Sequence, residues 1–178
     1  GSYIMIDGLR FTAGMPAKAG NDPDAANFSG ARQSGTIFIN KGANYVTVKN
    51  CEIENCPMGI QSYGQFGKFC GNWIHDCTRP LSYPAWGPVG IMVAESHIEI
   101  CHNRIENYYM MGGWFGADGG ALEIDNEFIA KSDIEIHHNY SRNNEGFLEI
   151  INGDFHDFWI HHNISEDFQE FIFFWGGR

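Results

Sequence analysis

Three carboxylates stand in two short segments of nearly the same shape: Glu123 and Asp125 in GALEID (120–125), and Glu149 in GFLEII (146–151). Two carboxyl groups on one surface are the equipment of glycosidic-bond hydrolysis, one serving as acid and the other as base or nucleophile. The same oxygens suit calcium, a hard cation that takes oxygen ligands, and Asp118, Glu123, Asp125 and Glu149 would form such a site. A third reading leaves these acids as solvated outer positions of an acidic chain. Glu145 and Glu170 precede the later strands and add acid to the same neighbourhood. The loops ahead of these strands carry rings: Tyr83 and Trp86 in TRPLSYPAWGP (78–88), and Tyr108, Tyr109, Trp114 and Phe115 in NYYMMGGWFGADGG (107–120). Flat rings stack on the C–H faces of sugars while acids bond the hydroxyls. On this reading Glu123 and Glu149 are catalytic, and Trp86, Trp114, Tyr108, Asp125 and Glu145 bind substrate.

Other chemistry is less well supplied. His137, His138, His161 and His162 recur at equivalent places, with His102 in one of the columns. Imidazole columns can ligate transition metals, but these sit in the repeated turn itself and read as turn-packing residues. Lys131 follows the Glu123–Asp125 segment and reads as an exposed turn lysine. No phosphate-binding glycine loop precedes a helix, and no nucleophile elbow occurs. The five cysteines form no CxxC pair, so zinc-type spacing is absent.

The elements that must hold these residues come from an internal repeat. ANYVTVKNCEIENC (43–56), GKFCGNWIHDC (67–77), SHIEICHNRIENYY (96–109), SDIEIHHNYSRNN (132–144) and HDFWIHHNISEDF (156–168) share one form, and GSYIMIDGLRF (1–11) is a weaker copy. Each alternates apolar and polar residues with period two, a strand signal. Val46 and Val48, Ile98 and Ile100, Ile134 and Ile136, and Phe158 and Ile160 point inward. A second kind of strand follows each copy: GTIFIN (35–40), GIQSYG (59–64), VGIMVA (89–94), GALEID, GFLEII and EFIFFW (170–175). Two strand types in strict order, with no amphipathic helix between them, describe stacked coils. Asn72, Asn103, Asn139 and Asn163 fall at one point of the repeat, 31, 36 and 24 residues apart. An asparagine there can bond its own turn and the next coil, which predicts an inward ladder. The register also makes Cys56 and Cys77 equivalent, and Cys70 and Cys101. Buried free thiols stacked as small apolar groups are the favoured state, with a disulfide as the alternative.

Alternation then assigns faces. Leu122, Ile124, Leu148, Ile150, Ile172 and Phe174 point in. Glu123, Asp125, Glu149, Ile151, Phe171, Phe173 and Trp175 point out, as do Gln61, Tyr63 and Met92. Glu123 and Glu149 become neighbours about 4.8 Å apart, nearer the retaining than the inverting separation.

SDIEIHHNYSRNN and HDFWIHHNIS resemble the repeats of the pectate-lyase-like right-handed parallel β-helix superfamily, and the resemblance covers nearly the whole chain. It implies an all-β solenoid of about six coils, one domain over 1–178, and glycan processing. The uncapped ends suggest a segment of a longer protein, or a subunit that stacks on a neighbour. The E-x-D segment followed by Lys131 is also faintly similar to calcium-dependent β-helix lyases of the chondroitinase B type. There acidic residues hold calcium and a lysine is the base, but an arginine is expected where Glu149 stands. The net charge of −11 excludes a nucleic-acid partner, which needs a basic stripe. No apolar run is long enough to enter a bilayer as a span. The expected protein is therefore an extracellular or cell-surface glycoside hydrolase acting on a polysaccharide or oligosaccharide. It would use no cofactor, or calcium. A non-catalytic adhesive solenoid stacking end to end, and a calcium-dependent lyase, are the alternatives.

Overall fold

The computed structural model describes residues 3–12, 36–56, 58–77, 88–109, 120–125 and 129–175. The described residues form three strands per coil. In chain order these are β1 (Ile4–Asp7), β2 (Arg10–Thr12), β3 (Ile37–Ile39), β4 (Val46–Lys49), β5 (Glu52–Glu54), β6 (Met58–Ser62), β7 (Gly67–Cys70), β8 (Trp73–His75) and β9 (Val89–Val93). They continue with β10 (Ile98–Cys101), β11 (Arg104–Glu106), β12 (Gly120–Asp125), β13 (Lys131–His137), β14 (Tyr140–Arg142), β15 (Leu148–Ile151), β16 (Phe155–His161), β17 (Ile164–Glu166) and β18 (Ile172–Trp175). Every third strand pairs in parallel, giving three six-stranded sheets: the first from β1 to β16, the second from β2 to β17, the third from β3 to β18. This is a parallel β-helix of six coils.

Equivalent residues therefore stack. Ile60, Ile91, Leu122, Leu148 and Ile172 form one inward column of the third sheet. Columns such as this and Val48–Phe69–Ile100–Ile136 merge into one apolar core, whose burial supplies the main driving force for folding. The period-two alternation found in the sequence is thus the pleat of each sheet.

The three corners are built from left-handed backbone. At the first, between the first and second sheets, positive φ occurs at Gly8, Asn50, Gly71, His102, His138 and His162. Asn55, Asp76, Asn107 and Asn143 take that conformation at the second corner, as asparagine and aspartate do more readily than most residues. At the third, Tyr3, Tyr45, Phe66 and His97 do so. Their rings lie in a continuous stack with centroids 4.9, 4.7 and 4.5 Å apart. That stacking offsets a conformation that costs a non-glycine residue about 1–2 kcal/mol.

The asparagine ladder lies just inside the first corner. The Oδ1 atoms of Asn72, Asn103, Asn139 and Asn163 accept from the backbone N–H of Cys51, Asn72, Asn103 and Asn139 at 3.0, 2.9, 3.0 and 2.9 Å. Each Nδ2 donates back one coil, to the carbonyls of Val48, Phe69, Ile100 and Ile136. The row supplies partners that buried corner amides otherwise lack. A second, shorter ladder at the next corner has no counterpart in the sequence reading. There Asn144 Oδ1 accepts from Tyr108 N–H at 2.8 Å, and Asp167 Oδ1 accepts from Asn144 N–H at 2.9 Å.

Cys70 and Cys101 form a disulfide with their Cα atoms 4.5 Å apart, which corrects the expected stack of free thiols there. The two residues end adjacent strands in register and alternate outward, so their sulfurs meet beside the sheet instead of packing in the core. Cys51, Cys56 and Cys77 are buried thiols outside that disulfide, as expected.

Candidate functional site

The outer face of the third sheet carries the acid pair. Glu123 and Glu149 are register partners on β12 and β15, and the column runs Gln61–Met92–Glu123–Glu149–Phe173. Beside it, Asp125, Ile151 and Trp175 form the next outward column. Sequence alternation placed these residues on this face, and the pairing puts Glu123 and Glu149 one strand spacing apart, about 4.8 Å between backbones. Glu123 is only 6% exposed whereas Glu149 is half-buried, so the two carboxyls experience different environments.

Polarity changes along this face. On the earlier coils Met92 and Ala94 join Met58 and Val89 in a second apolar cluster, with Tyr63 packed against it. On the later coils the acids take over, and Phe173 follows Glu149 in the column. The rings of Phe173 and Trp175 lie 6.2 Å apart and stacked. Asp125 is half-buried, and its Oδ1 accepts from Asn152 Nδ2 at 3.1 Å. Phe173 and Trp175 thus supply rings next to the acids from the strand itself.

Two of the expected substrate contacts stand elsewhere. Tyr108 is fully buried, and its hydroxyl donates to the carbonyl of Cys56 at 2.6 Å. Burial, reinforced by Cys77, Cys56 and Asp76, holds its phenol well above the usual tyrosine range. It is a core residue, not a sugar platform. The signal was in the sequence: Tyr108 follows Asn107 as Cys56 and Cys77 follow Asn55 and Asp76, so it occupies the inward column those cysteines define. Glu145 is buried at the second corner, where its backbone N–H donates to Tyr108 carbonyl and its Oε1 accepts from Gln169 Nε2. Trp86, Trp114 and Asp118 lie outside the described residues.

Lys131, expected as an exposed turn lysine, is buried at the start of β13. Its Nζ donates to the Ile129 carbonyl at 3.0 Å and lies 5.5 Å from the centre of the Phe155 ring. Burial pushes its ammonium below the usual lysine range, against the opposing pull of Asp125 and Glu95. It stands where the chain enters the first sheet after β12 of the third.

No curated protein and no solved structure matches the chain. Residues 24–165 match the family described as right handed beta helix region, in agreement with the three stacked parallel sheets, and the chain belongs to that family.

Proposed function

We propose that the chain is the glycan-processing part of an extracellular or cell-surface protein. A polysaccharide lies along the outer face of the third sheet, and Glu123 and Glu149 cleave it by hydrolysis. The observation that carries this reading is the register pairing of the two glutamates, unlike in burial, with Phe173 continuing their column. The more enclosed Glu123 takes the acid role and Glu149, nearer solvent, the nucleophile. Their separation by one strand spacing fits retention of anomeric configuration. Phe173 and Trp175 give a ring surface for a sugar face. The Cys70–Cys101 disulfide supports an oxidising compartment.

The test is release of reducing ends from a panel of neutral and acidic polysaccharides. Glu149→Gln and Glu123→Gln should each lower kcat by about 10²–10⁴-fold, with urea unfolding unchanged. Unaltered turnover in both variants would remove the acid pair from the mechanism.

The burial of Lys131 favours one second reading, elimination from a uronic acid. Lys131 would then be the base, with Glu123, Asp125 and Glu149 holding calcium that neutralises the substrate carboxylate. Ultraviolet absorbance from an unsaturated product, lost on chelation and in Lys131→Met, separates it from hydrolysis.

A further inference from the structure

Away from the third sheet, five imidazoles converge at the first corner. His137 and His161 end β13 and β16 as register partners, pointing outward, and their rings stack in parallel 5.2 Å apart. His102, His138 and His162 occupy the corner positions that follow, also stacked, 4.9 Å between successive centroids. Within each coil the two rings stand edge to face. His137 Nδ1 is 2.8 Å from His138 Nδ1, and His161 Nδ1 is 2.7 Å from His162 Nδ1. The ligand atoms of His102, His137 and His138 lie within 4.8 Å of one another, as do those of His138, His161 and His162.

We propose that this histidine ladder binds a divalent transition-metal ion of the imidazole-preferring class, with Cu²⁺ held most tightly, through the paired Nδ1 atoms of successive coils.

Three observations converge on it. First, the far nitrogen of each strand histidine faces a carboxylate one coil back: His137 Nε2 lies 3.3 Å from Glu99 Oε1, and His161 Nε2 lies 3.0 Å from Glu135 Oε1. A neutral imidazole that donates from Nε2 keeps its lone pair on Nδ1. The carboxylates therefore aim the Nδ1 lone pairs of His137 and His161 at the neighbouring ring, the arrangement that orients metal-bound histidines elsewhere. Second, the spacing fits. Two nitrogens about 2.0–2.1 Å from one ion lie about 2.9 Å apart when their bonds meet at a right angle. The observed pairs reach that by opening a tenth or two of an ångström. Third, the site is accessible: His102, His138 and His162 are exposed, which leaves coordination positions for water. The near-right-angle pairing suits tetragonal Cu²⁺ or Ni²⁺ better than tetrahedral Zn²⁺, and Cu²⁺ stands highest in the affinity order.

Turn packing alone does not explain the pattern. The equivalent corner position holds Gly8, Asn50 or Gly71 on the earlier coils, so the fold does not need a ring there.

The experiment is calorimetric titration of the full chain, prepared without a polyhistidine tag, with Cu²⁺, Ni²⁺ and Zn²⁺. Electron paramagnetic resonance of the Cu²⁺ form accompanies it. At least one Cu²⁺ per chain is expected, with nitrogen hyperfine structure in the spectrum. His138→Asn keeps a residue that the corner already accepts at Asn50, and should weaken Cu²⁺ binding by more than about 10-fold. Glu135→Gln, which leaves every nitrogen in place, should weaken it by about 10-fold. His156→Ala, outside the cluster, should change nothing. Equal Cu²⁺ affinity in the parent, His138→Asn and Glu135→Gln chains, or a spectrum with oxygen ligation only, would overturn the proposal.

Discussion

Asn103 shows how much a single side chain carries in this architecture. Its Oδ1 accepts from Asn72 N–H and Asn72 Nδ2, and its Nδ2 donates to the Phe69 carbonyl and Asn139 Oδ1. All of this is buried. Truncation leaves a backbone amide and a carbonyl with no water to replace the lost partner. Asn103→Ala should therefore destabilise the fold by about 2–4 kcal/mol, since each buried unsatisfied group costs about 1–3 kcal/mol. The urea midpoint reads this directly. A second residue-scale effect is electrostatic. Burial alone would raise Glu106, but hydrogen bonds from Arg104 and Trp73 and the charges of Arg104 and Arg142 outweigh it. The net result lies below the ordinary glutamate value of 4.5. Its folded form binds protons less readily than its unfolded form. The stability it contributes is fully present above 4.5 and is lost as pH falls through the lower folded value. Urea midpoints followed into acid should fall less steeply in Glu106→Gln than in the parent chain.

At the level of strands and corners, the disulfide is a tie between consecutive coils. It closes a separation of 31 residues, and loops of that size imply about 2–4 kcal/mol of stabilisation. Cys70→Ser should lower the urea midpoint accordingly, and a reducing agent should bring the parent chain to the same value. Tyr108 bridges further, reaching across two coils to Cys56. Tyr108→Phe should cost about 1 kcal/mol and leave any glycan turnover unchanged. These elements also show what was legible from residues alone. Strand order, the inward columns and the asparagine ladder follow from alternation and from the recurrence of Asn72, Asn103, Asn139 and Asn163. The pairing of Glu123 with Glu149 follows from the same register. The inward place of Tyr108 and the burial of Lys131 were not read, and the Cys70–Cys101 bond was read only as the alternative to stacked free thiols. Each depends on which way a side chain turns at a corner or strand end, where period-two alternation stops and the left-handed residue resets direction.

Over the whole molecule, the two proposed chemistries are kept apart. The acids occupy the outer face of the third sheet, whereas the histidines cap the edge between the first and second. The columns holding each are independent, so Glu149→Gln should leave Cu²⁺ affinity intact, and His138→Asn should leave any hydrolysis intact. A variant that changed both would indicate that one column disturbs the other through the core. The formal charge of −11 is shared among all sheets and favours cations over anions at either place.

The ladder bonds are uniform although the chain lengths between successive asparagines are 31, 36 and 24 residues. Differences in chain length between rungs therefore leave the rungs themselves unchanged. Such a rod can change its decoration from one storey to the next without altering its pitch. Excising one full storey, Asn103 through His138, would bring Asn72 against Asn139 and leave a shorter rod of the same bore.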